Sequence, residues 1–81
     1  NRIRLVQKEC RIRKDTQYGK YISVVSFCGI AKGVSERGVF YPLDHVNLQP
    51  FTSLGISNEI VEEEAVITVE DGTLIVVESR E

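Results

Sequence analysis

Residues 65–79 read AVITVEDGTLIVVES, and this stretch decides the fold class. Apolar and β-branched side chains fill both alternating sets of positions, and no helical period runs through them. Asp71-Gly72 divides the stretch, and Asp-Gly between alternating hydrophobic residues is a strong short-range signal for a two-residue type I′ hairpin turn. The register this predicts pairs Glu70 with Thr73, Val69 with Leu74, Thr68 with Ile75, Ile67 with Val76 and Val66 with Val77. One face then carries Ile67, Val69, Leu74 and Val76, and the other carries Val66, Thr68, Ile75 and Val77. A hairpin in a small protein usually covers only one apolar face. The second set is therefore expected either beneath a covering loop of a closed barrel or against another subunit. Glu62-Glu63-Glu64 and Glu78 flank the hairpin as gatekeepers against edge-to-edge aggregation.

Working back from this hairpin, the rest of the chain also reads as strand. Tyr21 to Ile30 is β-branched and aromatic on both faces and predicts a central strand. Lys14 to Lys20 is a turn by composition, with Tyr18-Gly19 at its tip. A hairpin of residues 3–13 and 20–30 about that tip sets Cys10 opposite Phe27 rather than Cys28, so no disulfide is expected. In the first segment the apolar positions change from odd (Ile3, Leu5) to even (Cys10, Ile12), which predicts a bulge or break between Val6 and Glu9. Lys32 to Gly38 reads as a polar loop, and Val39 to Tyr41 as a short strand ended by Pro42. Leu43 to Ile60, punctuated by Pro50, Gly55 and Asn58, has no readable period. A single helical turn from Asn58 to Glu63, capped by Asn58, is possible there. The expectation is an all-β domain spanning 1–81, a barrel or roll of about five strands, OB-like first and SH3-like second.

The charge is split along the chain. Residues 1–37 carry nine basic groups against three acidic ones, a net of +6, whereas residues 38–81 carry one against nine, a net of −8. The overall balance of −2 hides this asymmetry, which suits a polyanion-binding face or the association of opposed faces. No apolar run is long enough for a membrane helix. Two cysteines are too few for a disulfide framework or a zinc site, which favours free thiols and an intracellular protein.

Enzyme chemistry finds little support in the sequence. His45 is the one histidine, and its neighbour Asp44 would point away from it on a strand. No glycine run forms a phosphate-cradling loop, and the acidic run 62–64 reads as a solvated face. The sequence reading is therefore of a non-enzymatic protein with no metal or cofactor.

Two functions remain. In the first, Ile3, Leu5, Cys10 and Ile12 point inward and leave Arg2, Arg4, Arg11 and Arg13 outward. With Lys14, Tyr18 and Lys20 these form a basic, aromatic hairpin for single-stranded nucleic acid, guanidinium groups holding phosphates and Tyr18 stacking on a base. Residues 1–30 resemble in pattern the binding side of small OB-type single-strand binders. In the second, the chain is an assembly protein that binds a protein partner or homo-oligomerises through Val66, Thr68, Ile75 and Val77, helped by its opposed charges.

Overall fold

The computed structural model describes residues 2–50 and 56–80. Seven strands follow in order: β1 (Arg2–Val6), β2 (Glu9–Arg13), β3 (Tyr21–Arg37), β4 (Leu43–Leu48), β5 (Asn58–Glu59), β6 (Glu64–Thr68) and β7 (Asp71–Ser79). One short 3-10 turn, Lys14–Thr16, links β2 to β3. The all-β roll expected from the sequence is present. It has more strands than anticipated because Leu43–Leu48 and Asn58–Glu59, which lack a two-residue period, still pair along β3.

β3 organises the molecule. Its first half pairs with β7 and β5, its second half with β6 and β4. The sheet is thus a half-barrel with two sides, β1-β7-β3-β5 and β2-β6-β3-β4, joined through one long bent strand. The bend lies between Cys28 and Gly33, where Cys28 (φ 59°), Gly29 (φ 126°) and Gly33 (φ 65°) are left-handed. Such residues insert extra length into a strand and turn it.

The register shows how all three ribbons round this corner together. Between the pairs Phe27–Thr73 and Lys32–Asp71, β3 advances five residues while its partner advances two. Between Val6–Leu74 and Glu9–Thr68, the β6–β7 ribbon advances six while β1–β2 advances three. Each track is three residues longer at the corner than the one beside it, which curls the sheet.

This path replaces both expected hairpins. β6 and β7 run on from one another as a single ribbon, with β1 and β2 along one edge and β3 along the other. Asp71-Gly72 is its corner: Asp71 pairs with Lys32, and only Gly72 has a positive φ, whereas a type I′ turn needs both central residues left-handed. A ribbon laddered on both edges satisfies more backbone groups than a hairpin laddered on one. At the N-terminal end β2 pairs with β6, so Cys10 faces Ile67 instead of Phe27. Cys10 and Cys28 are free thiols. The helical turn from Asn58 is also corrected: Asn58 and Glu59 pair with Ile22 and Tyr21.

The assignment of faces holds where the pairing does not. Ile67, Val69, Leu74 and Val76 are in the core with Val6, Ile12, Ile22, Val24, Val34 and Leu48. Val66, Thr68, Ile75 and Val77 are half-buried on the outside. The expected break falls between Val6 and Glu9, but without a change of buried parity: Val6, Cys10 and Ile12 are all buried, while Ile3 and Leu5 are 65% and 64% exposed. Arg4 has the parity of the buried positions and is half-buried. Arg4 is accommodated because the fully buried Glu78 lies across from it, Arg4 Nη2 to Glu78 Oε2 at 2.7 Å.

Candidate functional site

The structure engages the basic residues with the chain's own acids. Arg4 donates to Glu78, and Arg2 stands 3.9 Å from the same carboxylate. Arg11 bonds Glu9 and Glu64, Arg13 bonds Asp15, and Lys20 lies 3.5 Å from Glu59. The Arg13 guanidinium holds the Asp15 carboxyl below its ordinary value. Lys14 donates its backbone N–H to the Glu63 carbonyl and, with Arg13, Asp15 and Glu63, lines an open depression of mixed charge. The Tyr18 ring lies between the Arg2 and Arg80 guanidinium groups, at 5.5 and 4.8 Å, and the Tyr18 N–H donates to Glu78 Oε1. The long-range charge split read from the sequence is therefore largely folded back on itself, positive strands against negative ones.

A different set of residues converges where β5 meets the start of β3 and the β3–β4 connection. Gly38, left-handed at φ 76°, turns the chain out of β3, and a β-carbon there would collide with the Glu64 carbonyl oxygen. After this turn Val39 bridges Ile60, and the Phe40 N–H donates to the Glu59 carbonyl at 2.9 Å. Phe40 and Tyr41 are thereby held at the surface, 58% and 63% exposed, with their rings edge to face at a centroid distance of 4.8 Å.

Asn58 fastens this segment. Its Nδ2 donates to the Tyr41 carbonyl and to Glu36 Oε2, both at 2.8 Å. Its Oδ1 accepts from the N–H groups of Tyr41 at 2.9 Å and Glu59 at 3.1 Å. Both amide protons and both lone pairs of a buried side chain are used, which fixes its orientation. Asn58 belongs to one side of the roll and Glu36 to the other, so this bond also joins the two sides. Just before it, Ser57 has φ 56°, an uncommon conformation for serine, stabilised by a bond from its N–H to Ser23 Oγ at 3.0 Å. Non-glycine residues held left-handed by surrounding contacts cluster at functional sites. Ile56, next to Ser57 in the chain, is also exposed.

Glu36 and Glu78 are both fully buried, yet they differ electrostatically. Glu78 has Arg4 as a counter-charge, whereas Glu36 has the neutral Asn58 amide alone, and its Oε1 has no hydrogen-bond partner. Burial therefore dominates and pushes the Glu36 carboxyl up to about 7, against a smaller lowering by Asn58. Burial likewise raises the Cys10 thiol, with Arg4 acting the other way. A thiol in that state is a poor nucleophile.

Asn58 thus links two exposed aromatic residues, the left-handed Ser57 next to it and the uncompensated Glu36. Sequence reasoning missed these residues: Glu36 lay in a stretch read as polar loop, and Ser57 and Asn58 in the segment without a period. The one available signal was Ser57-Asn58 itself, a pair of residue types that favour special turns.

Residues 9–74 match the thiamin pyrophosphokinase vitamin B1 binding domain family. The fold is similar to that of thiamine pyrophosphokinase from Bacillus subtilis, with a TM-score of 0.88 and 28% identity over 98% of this chain. It is also similar to the Geobacillus thermodenitrificans enzyme (TM-score 0.85, 19% identity) and to an Enterococcus faecalis family protein (0.79, 20% identity), each over 98% of this chain. The chain spans only 36–37% of the length of those structures. No curated protein matches. The chain belongs to the vitamin B1 binding domain family of thiamin pyrophosphokinase, over a span that takes in Glu36, Phe40, Tyr41, Ser57 and Asn58.

This finding overturns the functional expectations from the sequence. The family is a vitamin-binding domain, not a nucleic-acid-binding barrel, and the basic strands that suggested phosphate contacts are engaged with acids. The non-enzymatic reading is corrected as well, since the family and the Bacillus subtilis match are those of an enzyme. Neither single-stranded nucleic acid nor a second copy of this chain is the partner that the family description indicates. Among the described residues, no helix is long and apolar enough to cross a membrane.

Proposed function

We propose that this chain is the thiamine-binding part of a thiamin pyrophosphokinase, and that the vitamin is received at the rim formed by Phe40, Tyr41, Ile56, Ser57 and Asn58. The observation that carries this reading is the family match over residues 9–74. The chemistry of the ligand supports the location. Thiamine joins an aminopyrimidine to a permanently cationic thiazolium ring, and exposed aromatic faces attract organic cations. Asn58, with its orientation fixed, and the strained Ser57 supply a preorganised polar edge beside those rings.

The activity of such an enzyme is transfer of a pyrophosphoryl group to the thiamine hydroxyl. Among the described residues, no group of three or more His, Cys, Asp or Glu side chains is arranged to hold a metal ion. In this reading residues 1–81 form one β domain that binds and orients the vitamin. An intracellular location belongs to the same proposal, supported by kinship with this enzyme and by the two free thiols.

Calorimetric titration of thiamine into the protein tests the reading, with Tyr41→Ala and Arg11→Ala as paired variants. Binding that Tyr41→Ala weakens at least tenfold and Arg11→Ala leaves unchanged is the expected result. Equal affinity in the parent and Tyr41→Ala would remove the rim from consideration.

A further inference from the structure

We propose that Glu36 is the specificity-determining residue of the rim: it is a buried acid without a counter-charge, and a cationic ligand supplies the missing charge. The inference rests on the thiamine-binding reading and extends it to one residue and one measurable property.

The argument begins from the contrast between the two fully buried glutamates. Glu78 is complete, with Arg4 at 2.7 Å on Oε2 and the Tyr18 N–H at 3.0 Å on Oε1. Glu36 has one neutral donor on Oε2 and nothing on Oε1. Its surroundings explain why the chain cannot complete it. From β6 the residue across is Ile67, and beyond that on β2 is Cys10. From β4 it is Leu43, followed by Asp44 and His45, which pair with each other at 2.6 Å while His45 lies 3.7 Å from Glu70. From the β5 segment come Asn58 and Glu59, the latter 3.5 Å from Lys20. The adjoining connection brings Tyr41, and the neighbour on β3 itself, Arg37, is exposed. No ion pair reaches Glu36 among the described residues, and every acid on these elements would only oppose its ionisation.

Glu36 is also not isolated from the rim. Its one partner, the Asn58 amide, holds the Tyr41 backbone by both its N–H and its carbonyl. A cation resting against Tyr41 would thus be linked through Asn58 to a carboxyl that, with the site empty, keeps its proton up to about pH 7. In this low-dielectric setting the cation favours the ionised carboxylate, so binding expels a proton to solvent. By linkage, the same coupling makes the ligand bind more tightly as pH rises through the range where Glu36 titrates. A neutral molecule of the same shape gains nothing from this coupling, which is the basis of selection.

The test measures thiamine binding by calorimetry between pH 6 and 8.5, in two buffers of different ionisation enthalpy, for the parent and Glu36→Gln. The amide keeps the acceptor for Asn58 but cannot ionise. The parent is expected to release protons on binding and to gain affinity with pH, up to about tenfold for each unit by which the ligand lowers the Glu36 pKa. Glu36→Gln is expected to bind more weakly at pH 8.5 and to lose both the proton release and the slope that the parent shows. A purely structural role would lower affinity equally at every pH and leave proton release as in the parent, and that result overturns the proposal. Should Glu36→Gln fail to fold, as judged by circular dichroism, the proton release and slope of the parent decide, with Glu36→Asp expected to retain both. Thiamine binding without proton release sinks this inference alone, whereas absence of thiamine binding sinks the proposed function with it.

Discussion

Replacing Glu36 by glutamine should make the protein more stable, and increasingly so as pH rises. The native carboxyl titrates near 7 against an ordinary value of 4.5, because it is buried with no counter-charge. The native state therefore holds its proton more tightly than the unfolded chain. The stability associated with the protonated group is fully present below pH 4.5 and is lost as pH rises toward 7. A separation of about 2.5 pKa units at 1.36 kcal/mol each corresponds to a loss of ~3 kcal/mol, a large share of what holds a chain of this length folded. Glutamine cannot ionise and keeps an acceptor toward Asn58. Urea denaturation at pH 4.5, 6 and 8 measures the difference between parent and Glu36→Gln. That difference should widen in favour of the variant across the interval and flatten above pH 7. Taking the difference cancels the remaining carboxylates, Asp15 among them, whose depressed pKa gives a dependence of opposite sign. Parallel stability curves for the two proteins would show that Glu36 is not a buried protonated acid, and the reasoning would fail.

Other outcomes follow from the same contacts. Arg4→Met should leave the buried Glu78 with only the more distant Arg2 guanidinium at 3.9 Å and cost about 2–4 kcal/mol in chemical denaturation, while adding Glu78→Leu should restore much of that loss. Asn58→Ala removes the donors and acceptors that hold Tyr41 and Glu36 and should cost roughly 2–4 kcal/mol, read as a shift of the denaturation midpoint. Ser57→Gly should raise thermal stability by up to ~1 kcal/mol, since glycine takes the left-handed conformation without the steric penalty.

The two-residue period of 65–79 was enough to identify strands and to divide Ile67, Val69, Leu74 and Val76 from Val66, Thr68, Ile75 and Val77, because alternation reports directly on burial. Pairing was not legible, since Asp71-Gly72 suits a hairpin turn and a ribbon corner equally well by composition. Only the tertiary competition for ladder partners, won by β1–β2 and β3, distinguishes them. The polarity of the first strand misled for a related reason. Arg4 is half-buried and Ile3 and Leu5 are exposed, because the arginine reaches a buried carboxylate 74 residues away. The site was obscured most of all. Its residues come from three separate stretches, and what makes Glu36 unusual is an absent counter-charge, a property of surroundings that no local spacing encodes.

The pairing of β1 with β7 has a consequence for how the molecule comes into being. Arg2 meets Glu78 and Val6 meets Leu74, so β1 finds its ladder partner only once β7 has been made. β3, laid down between them, has its own first half flanked by that same late strand. Contacts of such sequence separation make folding slow relative to helical proteins of equal size. Removing β7 would strip the central partner from one whole side of the roll. A domain closed in this way commits to its structure nearly all at once, because strands far apart in the sequence are ladder partners.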